Sequence, residues 1–156
     1  MAAFGIAVTL FACKGDTGPA GPAGTNGVAN ISSNIYTVSP GSWSNPSAGL
    51  YNYVASDASI TNANTDGIEV FMSGNNTNWF GLPLTNVFAN PDELFFMYIN
   101  GQITFEYDGS SAPATTQYFK VVVIPPAVMK QHPRTNWKNW SEVSAIIQAQ
   151  KMMNNQ

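Results

Sequence analysis

The sequence predicts an all-β fold: an antiparallel β-sandwich of about seven strands with a short C-terminal helix, preceded by an apolar leader and an extended glycine-rich segment. Three observations point there. Between residues 30 and 127, short apolar or alternating runs recur at fairly regular spacing, separated by Asn, Gly, Ser and Pro clusters, with no stretch of helical period among them. Asn100-Gly101 stands between two alternating runs, the strongest short-range hairpin signal. The 156 residues, 44% hydrophobic and 12% aromatic with a single cysteine, can fill one core and cannot build a disulfide framework.

The chain opens on thirteen almost purely apolar residues that end at Lys14-Gly15-Asp16. A helix needs about 20 apolar residues to cross a bilayer, so this stretch fits the apolar core of a signal peptide instead. Leu10-Phe11-Ala12-Cys13 resembles the bacterial lipobox, in which Leu and a small residue precede a modified cysteine. The resemblance implies that residues 1–12 are cleaved and that Cys13 carries lipid on its thiol and new amino terminus. Several acyl chains, at about 0.8 kcal/mol per buried methylene, make a stable membrane anchor. No Lys or Arg precedes Lys14, so the positive leader region is missing and a start upstream of Met1 is expected. The other reading of these residues is a buried N-terminal strand with an ordinary core cysteine.

Residues 13–29 form a neck. Gly15, Gly18, Gly21, Gly24 and Gly27 recur at every third place, with Pro19 and Pro22 in the second slot. That is the collagen pattern, because only glycine fits at the axis of three packed polyproline-II chains. Five triplets without proline in the third slot cannot hold a triple helix alone. A homotrimer would need help from the head or from anchoring in one membrane patch. A single-chain spacer is the alternative, reaching roughly 45 Å at about 3.1 Å per residue.

Residues 30–127 make the head. The strand candidates are Ile31–Val38, Leu50–Ala55, Gly67–Met72, Asn78–Leu84, Glu93–Ile99, Gln102–Tyr107 and Gln117–Ile124. Asn100-Gly101 is expected to supply the two positive φ angles of a type I′ turn. Counting outward pairs Ile99 with Gln102, Tyr98 with Ile103, Met97 with Thr104, Phe96 with Phe105, and Leu94 with Tyr107. One face then carries Leu94, Phe96, Tyr98, Ile103, Phe105 and Tyr107 and is assigned to the core. The other sets Phe95, Met97 and Ile99 against Gln102, Thr104 and Glu106, and its apolar half calls for cover from the C-terminal segment or a neighbouring subunit. The unbroken Val/Ile run before Pro125-Pro126 predicts a central strand buried on both sides.

Residues 128–156 are read as a loop and a short helix packed on the head. Asn139 is the expected cap, with Glu142 three residues on as in a capping box. Val143, Ile146, Ile147 and Gln150 fall near one face, Trp137 and Trp140 are anchors, and 151–156 is expected to fray.

Few residues suggest chemistry. Charged residues are only 10% of the chain and the net charge is −3, which argues against a nucleic-acid partner. His132 is the only histidine and no Gly-x-Ser-x-Gly motif occurs, so no catalytic residue, metal or cofactor is expected. The nine acids are scattered; Asp57 and Asp66 are the loop acids that calcium would take, at a spacing unlike an EF-hand. Lys130, Arg134 and Lys138 lie near Trp137 and Trp140. Trp43 and Trp137 are the candidate platforms for a glycan or other ligand.

The lipobox, the short Gly-X-Y neck, a β-rich head containing Trp79-Phe-Gly-Leu-Pro-Leu84, and the closing Phe119-Lys-Val-Val-Val-Ile-Pro125 strand before a short helix together resemble the collagen-like surface lipoproteins of Bacteroidota. Lys14-Gly15-Asp16 is similar to the charged surface-export signals of that group, with glycine between the charges as a departure. The resemblance implies an outer-membrane, surface-facing lipoprotein and carries no functional residues across; the function expected of this chain is a structural, adhesive or assembly role with other surface proteins, without catalysis. The alternative is a glycan- or ligand-binding accessory lipoprotein of an outer-membrane uptake complex.

Overall fold

Six of the seven expected runs form single strands, and alternation along each decides which side enters the core. In the computed structural model, which describes residues 30–155, nine strands make two antiparallel sheets. One has the order β1 (Ser32–Val38), β9 (Gln117–Ile124), β4 (Gly67–Ser73), β5 (Phe80–Gly81). The other has the order β2 (Ser44–Ser47), β3 (Leu50–Ser56), β8 (Gln102–Asp108), β7 (Glu93–Ile99), β6 (Leu84–Thr85).

The inner faces meet in one apolar cluster. Val38, Ile68, Val70, Met72, Phe119, Val121 and Val123 come from the four-stranded sheet, and Leu94, Ile103, Phe105 and Tyr107 from the five-stranded one. Phe105 and Phe119 stack across the gap with centroids 4.1 Å apart. The expected two-sided burial of the last strand holds: Val122 and Ile124 on the opposite face of β9 belong to a second buried cluster.

That second cluster is where the tail lies. Helix α1 (Pro126–Gln131) contributes Val128, and helix α2 (Trp140–Asn154) contributes Val143, with Trp137, Trp140, Ile146 and Ile147 packed beside them. Asn139 caps α2 as expected, accepting from the Ser141 N–H at 3.0 Å. Glu142 departs from a capping box by reaching past the cap to the Asn136 N–H at 2.9 Å. Gln150 is buried and accepts from the Ile31 N–H at 3.0 Å, which ties the helix to the start of the head. Gly81 lets the tail pass over the sheet edge, since a Cβ there would sit 2.6 Å from the Lys138 carbonyl oxygen. Lys120 points into this layer, its Nζ 3.8 Å from the Trp79 ring centroid and 3.6 Å from that of Trp140. Burial lowers its pKa, and the faces of the two indoles offer the ammonium partial compensation.

The hairpin register is the one the turn implied, from Ile99 opposite Gln102 to Leu94 opposite Tyr107. Its turn differs: Gly101 takes φ +76°, while Asn100 is not in the positive-φ region. The loop between β3 and β4 clamps this tip, and that fixes its conformation. The Ala63 N–H donates to Asn100 Oδ1 at 2.7 Å, Gly101 N–H donates to the Ile60 carbonyl, and Asp57 N–H to the Gly101 carbonyl.

Other departures have local causes. The expected strand Asn78–Leu84 splits: β5 joins the four-stranded sheet and β6 the five-stranded one, with Pro83, unable to donate to a ladder, between them. β2 is an exposed polar edge containing Pro46 and offers no apolar alternation to read. α1 stands where a loop was expected; Pro126 presets its first turn and Val128 anchors it. α2 continues to Asn154, past the expected fraying point. Tyr98, assigned to the core, is exposed because it lies on the stretch of β7 that the short β6 does not reach, at the free edge of the sheet, whereas its partner Ile103 on the interior strand β8 is buried. The C-terminal segment covers the four-stranded sheet, not the Phe95–Met97–Ile99 face.

The two ends of the sandwich are distinct. Asn30, the first described residue, the loop between β3 and β4, and the Asn100-Gly101 tip share one end. The loops 74–79, 86–92 and 109–116 share the other. Phe105→Ala should lower unfolding free energy by about 3–5 kcal/mol in urea denaturation; a loss under about 1 kcal/mol would contradict its place at the centre of the core.

Candidate functional site

The end opposite Asn30 is organised by one carboxylate. Asp92, buried at the close of the 86–92 loop, accepts from Val87 N–H at 2.6 Å, Phe88 N–H at 2.8 Å, Ala89 N–H at 2.6 Å and the Tyr107 hydroxyl at 2.9 Å. Burial alone would raise its pKa, but those four donors outweigh it and hold the carboxyl below the ordinary range. Burial and the bond to Asp92 push the Tyr107 hydroxyl up to about 12. A carboxylate so fully occupied holds a loop rather than transferring protons. Around it Thr85, Asn86, Asn90, Glu93 and Asp108 line an open polar cavity of about 570 Å³.

Next to this loop, an apolar groove of about 380 Å³ opens between the edges of the two sheets. Met72, Leu84, Val87 and Gln117 form its inner part, with Phe80 and Phe88 exposed beside it. Gln117 belongs to the face of β9 that carries Phe119, Val121 and Val123; a period-two count along the sequence places it there, although its polarity hid it from a search for chemistry.

A third feature is the outer face of the five-stranded sheet. Val54 lies opposite Thr104, and Thr104 opposite Met97, so Val54, Met97 and Ile99 stand on one surface. They are 52%, 52% and 60% exposed. Glu106, on the same face, is buried between Asn52 and Phe95 in the register.

The sequence-predicted residues fare unequally. Leu10, Phe11, Ala12, Cys13 and the glycines Gly15, Gly18, Gly21, Gly24 and Gly27 lie outside the described residues. Trp43 is buried in the sandwich, edge-on to Phe119 with centroids 6.1 Å apart, so it is core and offers no stacking platform. Trp137 is half-buried in the helix layer, its ring edge-on to His132 at 6.5 Å. Trp137 and Trp140 are thus absorbed in packing, and Lys138 lies close enough to Glu69 to oppose the rise that burial gives that carboxyl. Asp57 Oδ1 accepts from Asn34 Nδ2 and from the Ser59 N–H and hydroxyl, and Asp66 accepts from the Asn62 N–H, so both acids serve the loop. Among the described residues no group of three or more His, Cys, Asp and Glu side chains is placed to hold a metal ion. In comparisons with protein-family models, curated proteins and solved structures, nothing matches this chain.

Asp92→Asn replaces one acceptor oxygen by a donor facing N–H groups and should cost about 1–3 kcal/mol near neutral pH. Because the folded pKa is depressed, the carboxylate's contribution is fully present above the unfolded value, about 3.9, and is lost as pH falls through the folded value. Urea unfolding at several pH values should therefore show the gap between wild type and Asp92→Asn closing from about pH 5 downward. A gap constant down to pH 2 would contradict this role.

Proposed function

We propose that this chain is a lipid-anchored cell-envelope protein that displays its β-sandwich head on the Gly-X-Y neck and assembles, without catalysis, with copies of itself or with neighbouring surface proteins. The observation that carries this reading is the exposed apolar face formed by Val54, Met97 and Ile99. The tail packs on the opposite sheet and leaves this face uncovered. Exposed apolar side chains grouped on one sheet face are the usual mark of a contact surface.

Topology adds support. The chain enters the head at the same end as the β7–β8 tip, so heads gathered by a shared neck or membrane patch hold their Met97 and Ile99 faces near one another. Three is the stoichiometry that Gly-X-Y spacing favours. Anchoring through Cys13 and an outward-facing place in the outer membrane rest on the Leu10–Cys13 and Lys14–Asp16 patterns.

Two measurements test the reading. The detergent-extracted full chain should scatter light as a homotrimer, and Met97→Lys with Ile99→Lys should reduce it to a monomer with unchanged near-UV circular dichroism. A wild-type chain that stays monomeric at high concentration would defeat assembly between copies. Metabolic labelling with a fatty-acid probe should mark the wild type and leave Cys13→Ala blank; equal labelling of both would defeat the anchor.

A further inference from the structure

We propose that the heads join edge to edge, the open side of β7 in one copy pairing antiparallel with the open side of β1 in a second copy. This pairing rests on the assembly proposed above and names the contact that makes it. β6 covers β7 only at Glu93 and Leu94, so residues 95–99 form a bare rim of the five-stranded sheet. The Asp92 carbonyl accepts from the Asn86 N–H on the β6 side. Alternation along an antiparallel strand then turns the backbone N–H and C=O of Leu94, Phe96 and Tyr98 to that same side. Among the described residues nothing bonds to these groups of Phe96 and Tyr98.

This rim lacks the usual protections of an edge. Residues 94–99 hold no charge, proline or glycine, and β7 keeps one unbroken register with β8. Met97, Tyr98 and Ile99 are exposed. An uncharged apolar edge with unpaired main-chain groups is a template for another strand.

The other edges of the head decide which strand fits. β2 contains Pro46 and a register shift, and β5 and β6 are two residues long. If β7 met itself with Phe96 and Tyr98 bonding reciprocally, Asn100 of the second copy would fall opposite Leu94, where Leu84 already lies. β1 remains. Its seven residues pair with β9 on one side and with no strand on the other, and they hold no charge and no proline. Ser33, Asn34, Ile35 and Thr37 are exposed.

The two edges also face the right way. β1 stands over β3, where the Tyr36 hydroxyl donates to the Ser56 carbonyl at 3.2 Å, and β7 lies on the far side of β8. β1 leaves the end that holds Asn30, and β7 arrives there at its tip, so copies standing the same way up meet with these strands antiparallel. Heads displayed from one membrane stand so. A contact between two different edges repeats from copy to copy until a ring closes, and a homotrimer holds three of them.

Hydrogen exchange followed by NMR on the full wild-type chain in detergent tests the pairing. In the assembled protein the Phe96 and Tyr98 amides, with alternate amides of β1, should exchange about a hundredfold more slowly than those of β2. Tyr98→Pro removes one edge N–H and leaves the β8 ladder whole, so it should give a folded monomer. If that variant fails to fold, exchange in the wild type decides the matter. An assembly in which Phe96, Tyr98 and β1 exchange as fast as β2, or a folded Tyr98→Pro chain that still assembles, would overturn the edge pairing and leave assembly standing. A wild-type chain that scatters light as a monomer would overturn both.

Discussion

Burial of β9 on both faces is the constraint on which the remaining architecture depends. A strand whose alternate residues are Phe119, Val121 and Val123 on one side and Val122 and Ile124 on the other cannot sit at the surface of a two-layer sandwich. It requires a second sheet against one face and a further layer against the other. The five-stranded sheet supplies the first and the two C-terminal helices supply the second. Lys120, the one charged residue in this strand, is accommodated because two indoles cover its ammonium.

Placing the helices there has a consequence for the opposite surface. One 15-residue helix and its short predecessor cover one sheet face, and the outer face of β3, β8 and β7 keeps its apolar side chains in contact with solvent. Exposure in that position is tolerable when the head meets a partner. The same asymmetry separates the ends of the molecule: chain entry and the clamped hairpin tip lie at one, and the loops set by Asp92 at the other. An anchored neck at the first end would direct the second toward whatever the head encounters.

Much of this was legible in the sequence, and what was hidden was hidden for specific reasons. Alternation and a two-residue turn are local, so the pairings from Leu94–Tyr107 to Ile99–Gln102 followed from counting. The turn conformation did not, because contacts from residues 57–63 decide it. β2 has no apolar period and exists only as an edge paired to β3. Trp43 sits among Ser, Gly and Asn in sequence, yet it is drawn into the core beside Phe119. The Asp92 loop and the groove were invisible because a carboxylate accepting backbone N–H groups leaves no residue pattern, and Gln117 signals its burial only through the parity of its neighbours.

Native-state hydrogen exchange measures the strand order of stability directly. If β9 is the element on which both clusters rest, its amides from Val121 to Val123, together with their partners in β4, exchange only through global unfolding and are the slowest in the head, while those of β2 and β6 exchange through local opening. Exchange of the Val121–Val123 amides as fast as those of β2 would contradict the account.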